Sequence, residues 1–213
     1  MKISLRDKFP ELKVETTKGM INLPNDYKGK WFILFSHPAD FTPVCTTEFV
    51  SFQKKKKQFD ELGVELIGLS VDSLESHYKW IQWIEEKIHV QIEFPVIDDE
   101  TRKISETLGL IHPNEDDTAT VRAVIIVDHN GKVRTMLEYP KEIGRNIDEI
   151  LRTVKALKMA SIKKVFAPAN WPCNEIIGDK VLFHRGEDDD PELDEKLGVY
   201  SLSNWFIYKN MDE

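Results

Sequence analysis

Apolar and polar positions along the chain fall into blocks of two different periods. Residues 31–36 (WFILFS) form an unbroken apolar run of strand length, the pattern of a strand buried on both faces of a parallel sheet. Beyond it, Cys45, Phe49, Phe52, Phe59 and Leu62 recur at helical spacing, and Gly63 marks where that helix stops. Residues 64–71 (VELIGLSV) read as a second buried strand, with Asp72 and Ser73 capping a helix that runs to about Glu86. A short strand is expected at 94–97 and a short helix from Thr101 to Leu108, stopped by Gly109. Residues 123–128 then pair with 133–139 across His129, Asn130 and Gly131, because Asn-Gly favours a tight hairpin turn. A helix from Asn146 to Lys158 closes the block, with Ile147, Ile150, Leu151, Val154 and Leu157 on one face.

This succession of strands and helices, ending in a hairpin and a helix, predicts an α/β layer structure with a mixed sheet. From Met159 the pattern breaks, so residues 1–158 are read as one domain and 159–213 as a small C-terminal one. The second region carries Trp171, Val181, Leu182, Phe183, Trp205, Phe206 and Tyr208, which is too apolar for a disordered tail. It is expected to cover the first domain or a partner subunit. The acid run at 187–195 is expected to be a solvated loop.

Composition adds exclusions. A formal charge of -8, from 37 acidic and 29 basic residues, argues against nucleic acid or an anionic membrane as partner. No stretch approaches the ~20 apolar residues of a membrane span, and the first residues lack a signal-like apolar run, so a cytoplasmic protein is expected. The two cysteines, Cys45 and Cys173, form neither a disulfide framework nor a CxxC pair nor a metal-ligand cluster, so no metal or cofactor is expected.

Cys45 has the more informative setting. Thr42 is a good N-cap and Pro43 a good first helical residue, which places Cys45 in the first turn of a helix. Unpaired N–H groups and the positive helix end favour an anion there, and the thiolate is the reactive form of cysteine. Sharing a face with Phe49 and Phe52, the sulfur should be partly sheltered. His37 and Asp40 stand within eight residues of the thiol. These residues alone leave two readings open: a reactive thiol, or a small buried core residue beside a structural histidine.

The stretch from Pro38 to Cys45 (PADFTPVC) matches PxxxTxxC, the signature of the peroxiredoxins, and residues 35–48 resemble the 1-Cys-type subfamily, including its archaeal-type members. Residues 121–128, 144–152, 168–172 and 178–180 fit the same subfamily. The resemblance implies a thioredoxin-like fold and a thiol-dependent peroxidase in which Cys45 becomes a sulfenic acid as hydrogen peroxide or an organic hydroperoxide is reduced. It implies that Thr42 bonds the sulfur and the peroxide, Arg122 holds the thiolate and stabilises the departing oxygen, and Pro38 shields the sulfur. Arg145 and Glu48 would support Arg122, and His37 would bind peroxide or the oxidised sulfur. Without the resemblance, Arg122 and Arg145 read as surface charges.

The tail from Asn174 to Glu213 holds no cysteine where some relatives carry a resolving one. Either Cys45 works alone with an external thiol reductant, thioredoxin-like or small, or Cys173 resolves from an unusual position. The single-cysteine reading is preferred, because a lone cysteine is usually a buried small hydrophobe. The resemblance also implies a homodimer built through the C-terminal arm, and a decamer of five dimers. A cysteine hydrolase using Cys45 with His37 is the enzymatic alternative, but nothing in the sequence specifies its oxyanion site. A holdase or redox-signalling protein is the non-enzymatic one. A phospholipase is not expected, since no GxSxG motif is present.

Overall fold

A hairpin precedes the first predicted strand. In the computed structural model, which describes residues 3–114, 118–184 and 198–211, β1 (Leu12–Thr16) and β2 (Gly19–Leu23) pair antiparallel, Thr16 opposite Gly19. The apolar pattern misses it because only Val14, Thr16 and Leu23 are buried across the two strands. Its turn is held by polar chemistry instead: the Thr16 hydroxyl donates to Gly19 O and accepts from Lys18 N, and Gly19 takes a positive φ.

The remaining elements follow the predicted order. They are β3 (Trp31–Ser36), α1 (Pro43–Glu61), β4 (Val64–Ser70), α2 (Leu74–Ile88), β5 (Val96–Asp98), α3 (Lys103–Leu108), β6 (Arg122–Val127), β7 (Val133–Tyr139) and α4 (Ile147–Lys163). α4 continues to Lys163 rather than stopping at Lys158, since Met159, Ala160 and Ser161 carry no breaker. Ser73 caps α2 as its sequence position predicts, accepting from Ser76 N.

The sheet runs β2-β1-β5-β4-β3-β6-β7. β3, β4 and β5 are parallel to one another, while β6 pairs antiparallel with β3 and β7 with β6. β3 is buried at all six positions, and its alternation serves two cores. Phe32 and Leu34 join Ile67, Leu69, Ile97, Ile125 and Val127 on one side. Phe35, of opposite parity, stacks on Phe52 at 4.0 Å between ring centroids and meets Phe49 and Phe94 edge-on. These aromatics dock α1 on the sheet. Gly68 of β4 permits the close approach, since a Cβ there would lie 3.3 Å from Phe49 Cζ.

The chain divides into two compact units, Met1–Ile147 and Asp148–Glu213, so α4 groups with the C-terminal unit while the sequence pattern groups it with the first. In the second unit, Val165, Trp171 and Val181 form a small core with Met159, Phe183 and Met211. A three-stranded sheet follows, of β8 (Val181–Leu182), β9 (Val199–Ser203) and β10 (Phe206–Lys209), ordered β8-β10-β9. The acid run at 187–195 lies outside the described residues. No helix among the described residues is long and apolar enough to cross a membrane.

Candidate active site

The turn joining β3 to α1 carries the PxxxTxxC residues. Thr42 is extended (φ -107°, ψ 143°) and occupies the N-cap, with Pro43 opening the helix, as the sequence predicts. Its side chain does not cap. The hydroxyl donates to Ala39 O at 2.9 Å, and the Thr42 carbonyl takes up the first helical turn by accepting from Thr46 N and the Thr46 hydroxyl. With its proton committed to Ala39, Thr42 keeps its lone pairs as acceptors. Cys45 lies in the first turn and is fully buried, not merely partly sheltered.

Two arginines from distant segments converge on this turn. Arg122, the first residue of β6, donates through Nη1 to Cys45 Sγ at 3.2 Å and to Glu48 Oε2 at 2.8 Å. Its Nε and Nη2 both donate to Lys141 O, at 3.0 and 2.8 Å, which fixes the guanidinium plane. Arg145 grips the same carboxylate: Nε reaches Oε1 at 2.8 Å and Nη2 reaches Oε2 at 2.7 Å, with Arg145 N adding a third bond at 2.8 Å. Arg145 Nη1 bonds Ser36 O and Ala123 O, and the guanidinium stands 5.5 Å from the Phe35 ring centroid. Glu48 is one turn after Cys45 on α1, so the carboxylate that anchors both arginines rides on the helix that carries the sulfur.

Charge counting shows what the arrangement favours. Arg122, Glu48 and Arg145 are 3, 2 and 6% exposed, and arginine does not deprotonate in proteins. Burial alone would raise the Glu48 carboxyl, but the hydrogen bonds and charges of Arg145 and Arg122 hold it below its usual range. Two cations and one anion leave one net positive charge in a water-poor niche, with a guanidinium hydrogen aimed at sulfur. A thiolate at Cys45 neutralises the cluster.

The other predicted residues divide between near and far. Pro38 is half-buried in the same turn. His37 is fully enclosed at the end of β3, its ring 4.8 Å from that of Phe49 and its Nε2 2.9 Å from Asp40 Oδ1. Cys173 is exposed, contrary to the expectation of a buried small hydrophobe. It sits in a turn where Asn170 takes a positive φ and its carbonyl accepts from Cys173 N. Both cysteines are free thiols.

Sequence reasoning missed the carbonyl groups of Ser36, Ala123 and Lys141, which aim the arginines, and His77 on α2, which bonds Asp40. Backbone acceptors leave no trace in residue identity. His77 lies 37 positions from Asp40, a separation that no local pattern spans.

The chain resembles known proteins over nearly its whole length. The AhpC/TSA family matches residues 5–136. A peroxiredoxin of Thermotoga maritima is 55% identical over 209 residues, covering 96% of each chain. One from Methanocaldococcus jannaschii is 52% identical over 213 residues, covering 97% of this chain and 98% of its own. Among solved structures, the peroxiredoxin 6 of Arenicola marina superposes with a TM-score of 0.85 at 30% identity, over 99% of each chain. A yeast mitochondrial 1-Cys peroxiredoxin gives 0.85 at 35% identity, over 97% of this chain and 99% of its own. The mixed sheet with its flanking helices is thus the thioredoxin-like fold that the sequence led us to expect, and the chain belongs to the AhpC/TSA family, the peroxiredoxins, which reduce peroxides with a cysteine thiol.

Proposed function

We propose that Cys45 is the thiolate that performs this reduction, and the 3.2 Å bond from Arg122 to its sulfur carries the assignment. The thiolate attacks one oxygen of a hydroperoxide, the O–O bond breaks, and the sulfur leaves the step as a sulfenic acid. The second oxygen departs as water or an alcohol once it has gained a proton. Four of the five Arg122 N–H groups are engaged, and the remaining one, on Nη2, has no partner among the described residues and is available to the departing oxygen. Thr42, its own proton spent on Ala39, accepts from the hydroperoxide O–H and orients the oxygen for attack. Glu48 and Arg145 hold Arg122 in place, Pro38 limits water at the sulfur, and His37 receives the oxidised group.

The cycle closes with an external thiol: attack on the sulfenic acid releases water and forms a mixed disulfide, which a second thiol reduces. The structural study of the yeast relative concerns resolution of its thiol through glutathione and thioredoxin systems, which supports a small or thioredoxin-like thiol as reductant. Two free cysteines suit a reducing cytoplasm.

Two separate apolar patches support assembly. One, in the second unit, exposes Leu202 at 65% and Trp205 at 77%. The other, in the first unit, exposes Phe41 and Trp83, which border a 240 Å³ depression beside Thr42, Pro43 and Thr46. A two-fold dimer uses one patch and a closed ring of dimers needs a second, so the pair fits a dimer formed through the C-terminal arm and a decamer above it.

One equivalent of hydrogen peroxide, followed by a sulfenic-acid trap and mass mapping, tests the chemistry. Label on Cys45, and loss of peroxide consumption in Cys45→Ser, are the expected results; consumption unchanged in that variant defeats the reading. Turnover with a small dithiol should persist in Cys173→Ser, whereas its loss together with a Cys45–Cys173 disulfide in the parent would make Cys173 the resolving thiol.

A further inference from the structure

A second buried polar network lies beside the arginine cluster, with Asp40 at its centre. Asp40 Oδ1 faces His37 Nε2 at 2.9 Å, and Oδ2 faces His77 Nδ1 and the Ser76 hydroxyl, both at 2.8 Å. Both imidazoles are wholly enclosed and Asp40 is 6% exposed. A carboxylate only accepts, so each nitrogen facing it carries a proton. His77 Nε2 faces a second pure acceptor, Ile97 O, at 3.0 Å. With acceptors at both nitrogens, His77 satisfies its surroundings only as an imidazolium. His37 differs: its Nδ1 has no hydrogen-bond partner among the described residues. A proton there would place a charged N–H in a sealed site with nothing to receive it, so Nδ1 keeps its lone pair.

Charge and burial agree with this distribution. Burial pushes the His37 imidazole down, outweighing the pull of Asp40. Burial also opposes a charged His77, but Asp40 and the Ile97 carbonyl bring it above its usual value. Burial alone would raise Asp40, yet hydrogen bonds from both rings hold it well below the ordinary carboxylate range. Asp72, which accepts from Asp40 N and the Ser70 hydroxyl, is the other charge facing the network, with Asp98 accepting from Leu74 N at the start of α2. On the remaining sides His37 meets Phe49 and Trp80, neither titratable. Phe49 follows Cys45 by one turn of α1, and Trp80 Nε1 donates to the Thr46 hydroxyl, so the ring lies against the face of α1 that holds the sulfur.

We propose that Asp40 and His77 are positioning residues: by keeping the shared proton on His77 they hold His37 neutral, its Nδ1 lone pair fixed as acceptor for the O–H of the sulfenic acid formed on Cys45. This rests on the peroxidase reading of Cys45. A sulfenic acid held by its own O–H stays protonated. The anion is the form that attacks a second hydroperoxide, breaking another O–O bond to give a sulfinate and a second water or alcohol. The network therefore slows overoxidation. Removing the positive charge of His77 leaves Asp40 uncompensated and draws a proton onto His37, which turns the acceptor into a donor that favours the sulfenate.

Nitrogen NMR of the histidine rings in the reduced protein tests the protonation states without peroxide. Near the ordinary imidazole value of about pH 6.5, His77 should show two protonated nitrogens and His37 a bare Nδ1; a neutral His77, or a proton on His37 Nδ1, overturns the proposal. In His77→Gln, His37 should become protonated, and the fraction of Cys45 converted to sulfinic acid per turnover should rise several-fold as pH falls, a trend absent from the parent. A folded His77→Gln protein with His37 neutral and an unchanged sulfinic yield also overturns it; if that variant does not fold, the parent spectra decide alone. A parent Cys45 that peroxide does not oxidise defeats the peroxidase reading, while the ring spectra still report the tautomers.

Discussion

Arg122 has two duties at one nitrogen, since Nη1 serves both Cys45 and Glu48. That sharing makes the direction of its effects predictable. Arg122→Ala removes the donor to sulfur and the donor available to the departing oxygen, and losing one such preorganised donor costs about 10²–10³-fold in rate. Stopped-flow measurement of Cys45 oxidation should show a fall of that order, and an unchanged rate constant would remove Arg122 from the chemistry. Arg122→Lys should recover little, because one ammonium cannot reach Cys45, Glu48 and Lys141 O together in the fork geometry seen here. None of this is readable from residue 122 itself. The place of Cys45 in the first helical turn was legible because cap, proline and thiol are sequence neighbours, whereas the Cys45–Arg122 bond spans 77 positions and becomes visible only when β3 and β6 pair.

The helix that carries Cys45 is positioned by aromatic packing, and β4 contributes the space for it. An alanine Cβ at Gly68 would meet Phe49 Cζ at 3.3 Å and Val96 Cγ2 at 3.4 Å, on a strand buried on both faces. Phe49 sits between Phe35, Phe94, Trp80 and His37 and has no free side to move into. Overpacking of this kind costs about 1–3 kcal/mol. Gly68→Ala should therefore lower the midpoint of urea unfolding by a corresponding amount and also slow Cys45 oxidation, because Phe49 and Cys45 share a face of α1; a variant as stable and as fast as the parent would show that the packing has slack. Element placement was largely legible at this scale. β3, β4 and β6 have near-continuous apolar runs and α1 a helical apolar repeat. The β1–β2 hairpin was not, since its register depends on Thr16 side-chain bonds and a positive-φ glycine rather than on apolar alternation.

For the whole molecule, the two exposed apolar patches make separate demands, and separate substitutions can tell them apart. Leu202 and Trp205 stand on the strands of the C-terminal sheet and on the turn joining β9 to β10, outside the small core built from Val165, Trp171 and Val181. Phe41 and Trp83 belong to the other unit, one in the turn before α1 and the other on α2. A stable interface buries about 1,200–2,000 Å² in total, and a buried charge without a partner at its centre costs several kcal/mol. Trp205→Glu combined with Leu202→Glu should then yield monomers in sedimentation velocity, and Trp83→Glu alone should stop assembly at the dimer while leaving the dimer intact. Each result has its own counterpart: an unchanged mass in the first variant removes the C-terminal sheet from the dimer interface, and a ring that survives the second removes α2 from the contact between dimers. The sequence announces apolar residues at all four positions, but their exposure is a property of the fold, because helical and strand periodicity alone assign Trp83 and Leu202 to a core as readily as to a surface.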